Sequence, residues 1–173
     1  WDAQQTRAAT RVLRDAWAQA PPNAERLPVT QALGSVVAWS TSVDEGLRLL
    51  CDDIALVPED QAALRVAPLM EAATLAGLAV RVPFALELAE QAEAIAAGGD
   101  EITSFAARAV TTHTRLIAGT GRDVDDRFER MGESAQGLPL TAGERAHRPI
   151  LSAGPPETGD GASATDRDRR LGE

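Results

Sequence analysis

The sequence has no lysine and no tyrosine, one asparagine (Asn23) and one cysteine (Cys51), and aromatic residues fill only 3% of its 173 positions. Each scarcity excludes something. Without lysine there is no side-chain amine to form a Schiff base. Without tyrosine there is no phenolic nucleophile of the kind used in DNA strand nicking and site-specific recombination. A lone cysteine forms no internal disulfide and no thiolate metal cluster. Few aromatic and β-branched residues leave little from which to build strands.

What is present points one way. All 17 basic positions are arginine, and alanine occurs 33 times. Alanine has the best helix propensity, so the expected fold class is all-α. Loss of lysine, tyrosine and asparagine in favour of alanine, arginine and glycine is the signature of a high-GC genome. It points to a bacterium, such as an actinobacterium, or to its phage or plasmid. The net charge of -9 opposes nucleic-acid binding, which relies on cations that neutralise phosphates. It also opposes anionic membrane surfaces. The chain opens at Trp1 with no basic and apolar leader pattern, and the expected compartment is cytoplasmic.

Periodicity predicts five or six helices over residues 1–135, packed as an antiparallel bundle. The first spans Trp1 to Ala20 and ends at Pro21-Pro22. The second is expected to run unbroken from Val29 to Leu56. Leu33, Val36, Ser40, Val43, Leu47, Leu50 and Ile54 recur there as a heptad seam that could serve a homodimer. Glu59 and Asp60 open a third helix, which is apolar nearly all round from Val66 to Leu86 and so suits the middle of the bundle. Its two charges and two prolines argue against a membrane span. Pro83 starts a fourth helix, to Ala97. Asp100 caps a fifth, Glu101 to Ala118, and a last one covers Arg122 to Ala135. No internal repeat is visible. From Gln136 to Glu173 the chain is rich in Gly, Pro, Ser and Thr, which predicts a tail that is disordered or ordered by a partner.

Candidate chemistry is sparse. Asp125, Asp126 and Glu129 form a D-D-x-x-E pattern that could hold Mg²⁺ and a diphosphate. The pattern resembles the acidic motif of class I terpene synthases, but those larger all-α enzymes line their pockets with aromatics that this chain lacks. The ordinary reading is a solvated helix start. Cys51 lies beside Asp52 and Asp53, whose charges raise a thiol pKa, so a structural cysteine is expected. His113 lacks the Glu-x-x-His spacing of a di-iron bundle, because Val110 occupies the glutamate position. His147 stands apart, so neither histidine suggests a metal. No cofactor is expected.

One helix face is basic. Arg7, Arg11 and Arg14 form a stripe on the first helix, while acids concentrate between Asp44 and Asp60 and between Glu87 and Glu101. With Trp1 and Trp17 as anchors, this stripe is the expected contact for a partner protein or a second copy. The leading expectation is a non-catalytic interaction or assembly module of a larger bacterial or phage system. Two alternatives stand beside it. One is a small-molecule-binding regulatory bundle with a cavity near Trp39, Met70, Phe84 and Phe105. The other is an Mg²⁺ enzyme built on the acidic cluster.

Overall fold

In a computed structural model the chain falls into two units, Trp1–Leu138 and Pro139–Glu173. The structure describes residues 3–120 and 124–137, all within the first unit. Side chains are described for these except at 124, 125 and 134–137. Of the tail expected from Gln136, the first two residues belong to the last described helix, and residues 138–173 lie outside the described residues.

The described residues form seven α-helices and no strand: α1 Ala3–Gln19, α2 Leu27–Ser40, α3 Val43–Ile54, α4 Val66–Leu78, α5 Val82–Ala96, α6 Glu101–Ala118 and α7 Val124–Gly137. Two 3₁₀ segments, Ala24–Arg26 and Glu59–Arg65, lead into α2 and α4. The all-α expectation holds, with more and shorter helices than expected.

Local chemistry sets the boundaries. Asn23 caps the first 3₁₀ turn by accepting from the Glu25 amide at 2.9 Å. Pro28 and Pro83 sit in the first turns of α2 and α5, where a missing N–H leaves no hydrogen bond unmade. Asp100 caps α6 by accepting from the Thr103 amide at 2.8 Å and the Thr103 hydroxyl at 2.6 Å. Gly119 ends α6 in the left-handed conformation, at φ 65°. The equivalent place after α4 is taken by Val80, at φ 59°, a conformation that a β-branched residue rarely adopts.

The unbroken helix expected over Val29–Leu56 is two helices. Ser42 stops the first and caps the second, accepting from the Glu45 amide at 3.3 Å. Asp44 and Glu45 then fill the first turn of α3, where carboxylates suit the helix dipole. The chain reverses here and α2 packs on α3. Two glycines permit this: a Cβ on Gly46 would lie 2.4 Å from the Gly34 carbonyl oxygen and 2.8 Å from the Ala38 Cβ. The heptad seam is therefore folded on itself. Leu33, Leu47 and Leu50 are at most 3% exposed, inside the chain's own core, and are not free to zip with a second copy.

As expected from its all-round apolarity, α4 lies in the middle and touches α2, α3, α5 and α6. Its Leu69, Ala72, Ala73, Leu75 and Ala76 are buried against Ala85, Leu88, Ala89 and Ala92 of α5 and Leu47 and Leu50 of α3. Alanine at the α4–α5 contact lets the helices approach closely without opening a cavity. A smaller cluster, Leu33, Val37 and Leu49, is covered by Leu13 and Trp17 of α1. At the other end α7 is tied down by Arg127, which donates to Glu93 at 2.9 and 3.0 Å and to the Thr112 hydroxyl at 3.2 Å.

Candidate functional site

A groove of about 990 Å³ runs between α1 and the C-terminal half of α2. One wall is α1, with Ala3, Thr6, Arg7, Thr10, Arg11, Arg14 and Asp15; the other is Val36, Trp39, Ser40 and Thr41. The spacing i, i+4, i+7 brings the three arginines to one side of α1 over about 10 Å of helix. Opposite them stands Trp39, 71% exposed. On α2, Leu33 and Val37 turn into the core, and Val36 and Trp39 consequently turn outward toward α1.

The arginines differ in what they touch. Arg14 pairs with Glu45 of α3 at 2.7 Å. The Arg7 Nε donates, among the described residues, to the Ala3 carbonyl, at 3.3 Å. Among the described residues Arg11 has no acidic partner. Asp15 is the one carboxylate among the described residues of the lining. The groove thus holds uncompensated positive charge in a chain of net charge -9.

What holds the α1 wall is a buried polar node beneath it. Asp53, 1% exposed, accepts from the Trp17 Nε1 at 3.2 Å and from the Arg26 Nε at 2.8 Å. It also accepts from the Arg26 Nη2 and the Thr30 hydroxyl. The Arg26 guanidinium lies over the Trp17 ring, 4.4 Å from its centroid. A buried carboxylate is tolerated when its oxygens are satisfied in this way. One side chain of α3 therefore fastens α1, the first 3₁₀ turn and α2 together.

The other sequence-selected residues are placed as follows. Trp17 is half-buried and works in the node and the smaller core. Trp1 lies outside the described residues. Of the four residues expected around a ligand cavity, only Trp39 lines the groove. Met70 packs half-buried against the main core, Phe105 is half-buried on α6, and Phe84 is 37% exposed on α5. Asp126 and Glu129 are exposed on α7, and the Asp125 side chain is outside the described set. Among the described residues no group of three His, Cys, Asp or Glu side chains could hold a metal. His113 is exposed on α6. Cys51 is half-buried, and its thiol pKa is pushed up, first by desolvation and then by Asp52. No helix among the described residues is long and apolar enough to cross a membrane.

Two features escaped the sequence reading. Asp53 follows Gly46, Leu49 and Leu50 at helical spacing, which places it on the inward face of α3; that was the available signal. The pairing of Trp39 with the arginine stripe required knowing that α1 folds back along α2.

No protein-family profile and no curated protein matches the chain. Solved structures do. The fold resembles a Podosopora anserina protein described as a kinesin light chain with nearly identical TPR-like repeats, at TM-score 0.67 and 19% identity, over 86% of this chain and 76% of that one. A single-substitution variant of that protein matches at TM-score 0.66 and 20% identity, over 78% of this chain and 69% of that one. At this identity the likeness concerns the fold alone. Successive α-hairpins here begin at residues 27, 66 and 101, at unequal spacing. The described residues have an all-helical fold like that of these TPR-like repeat structures, with helical hairpins packed in succession.

Proposed function

We propose that the chain is a non-catalytic interaction module that holds a segment of another protein in the α1–α2 groove. The observation that carries this reading is Trp39, 71% exposed and facing three arginines across a concave surface. Trp and Arg are the side chains most enriched among interface hot spots. The likeness to TPR-like repeats supports a binding role, and the alanine-packed interior leaves the surface groove as the place for it. The arginine-only basic set supports a bacterial or phage system as the setting, with the chain as one part of a larger assembly.

The test is selection from a displayed library of random peptides on the wild-type chain and on Trp39→Ala. Peptides that bind the wild type and not the variant are expected, with the variant's thermal unfolding unchanged. Selected peptides that bind both proteins equally would place the binding surface elsewhere.

A further inference from the structure

We infer that the occupant of the groove is an acidic segment of a partner protein, with at least two carboxylates and one apolar side chain. This rests on the groove being the binding surface and names what it recognises.

The argument is charge complementarity within a confined lining. Arg7 and Arg11 sit one helical turn apart, about 6 Å between their Cβ atoms. Neither has an acidic partner among the described residues. Elsewhere on the chain arginines are mostly paired: Arg26, Arg48, Arg65, Arg81, Arg115 and Arg127 each hold a carboxylate. The acid-rich sequence could have neutralised the groove, yet among the described residues its lining holds three arginines against one carboxylate, Asp15, and only Arg14 is paired, with Glu45 of α3. An occupant that brings two carboxylates about 6 Å apart supplies both guanidiniums with the acidic partner that the described residues do not. Its apolar side chain then covers Trp39 and Val36, which are otherwise open to water.

Other anionic occupants fit less well. The chain's own C-terminal stretch, 139–173, carries six acids and five arginines and offers no acidic tract. Nucleic acid would be repelled by the remaining surface of a chain of net charge -9, and one aromatic ring is a meagre stacking platform. A second copy would have to present an acidic helix face, such as Glu87, Glu90 and Glu93 of α5, although Glu90 and Glu93 are already paired within the chain.

The experiment reads the composition of peptides selected on the wild type and lost on Trp39→Ala, then measures their affinity by fluorescence anisotropy. Expected are at least two Asp or Glu per peptide, in excess over the starting library, beside one apolar residue. Arg7→Gln/Arg11→Gln should weaken them about tenfold, the size expected when two partly exposed ion pairs are lost. Affinity should also fall as NaCl rises. Trp39-dependent peptides with no excess of acid, or an affinity unchanged in the double variant, overturn the acidic occupant and leave the groove as a binding surface. If no Trp39-dependent peptide is recovered, the binding reading fails, and the acidic occupant with it. Two side measurements also overturn it: a thirty-nucleotide single-stranded DNA that binds more tightly than the peptides and is lost in the double variant, or a dimer in sedimentation that the double variant dissociates.

Discussion

Of the two glycines at the α2–α3 contact Gly46 is the more closely packed, and Gly46→Ala tests whether that hairpin is packed as described. An added Cβ would lie 2.4 Å from the Gly34 carbonyl oxygen, 2.8 Å from the Ala38 Cβ and 3.1 Å from the Ala38 nitrogen. Two of these are backbone atoms, so no side chain can rotate away and the helices must separate. Overpacking of a filled interior costs about 1–3 kcal/mol, and a contact at 2.4 Å belongs at the upper end. Alanine returns up to about 1 kcal/mol through better helix propensity. The net expectation is a loss of about 2 kcal/mol in urea unfolding, at an unchanged m-value. Gly77→Ala is the control. It is also helical, a Cβ there meets nothing within 4 Å, and it should gain up to about 1 kcal/mol from the same propensity term. Opposite signs at the two glycines are the signature sought. If Gly46→Ala were as stable as the wild type, α2 and α3 could not cross as closely as described.

Asp53→Ala should destabilise the chain by about 3–5 kcal/mol, because it strands the Arg26 guanidinium and leaves the Trp17 Nε1 without its carboxylate partner. Hydrogen exchange should accelerate first in α1, and uniform acceleration across α1–α6 would refute the node. Val80→Gly should raise stability by about 0.5–1 kcal/mol, as relief of the left-handed strain outweighs the greater freedom of the unfolded chain; a lower melting temperature would contradict the reading. The hydrogen bonds from Thr103, side chain and then backbone, hold the Asp100 pKa below its ordinary value. A lowered folded value means that the cap's contribution is present above about pH 3.9 and is lost as pH falls through the folded pKa. An NMR titration of the Asp100 carboxyl should show the low midpoint, and Thr103→Ala should move it upward.

The helical class was legible because alanine and leucine leave few other options, and the glycine, proline and aspartate punctuation placed α5 and α6 to within a residue. The break at Ser42 was not legible from periodicity. Val43, Leu47, Leu50 and Ile54 continue the heptad spacing of Leu33 across the turn, since both helices of a hairpin turn apolar residues to the chain's interior. The opposing signal was local: Ser42-x-x-Glu45 has the form of a capping box, with Ser42 accepting from the Glu45 amide. Long-range pattern and short-range capping disagreed, and capping won. For the groove, the arginine stripe could be read along one helix at i, i+4, i+7. Trp39 could not be joined to it, because positions 11 and 39 are brought to one groove only by tertiary folding. Asp53 entered the sequence reading only as a neighbour of Cys51, because its four donors come from three separate segments that tertiary folding brings around it.

The slender fastening of α1 has a thermodynamic consequence. No residue of this helix is buried; it is held by Leu13, Trp17 and the Arg14–Glu45 pair. Opening of α1 away from α2 therefore draws on far less stability than unfolding of the α3–α6 interior. A segment that bridges Arg7 and Arg11 to Trp39 adds a further attachment between the same two helices. Occupancy and closure of α1 are then linked functions: whatever tightens one raises the other by the same free energy. A substitution beneath the groove, at Asp53 or Thr30, would thereby alter affinity without touching the bound segment, by changing the fraction of molecules whose α1 is in place to receive it.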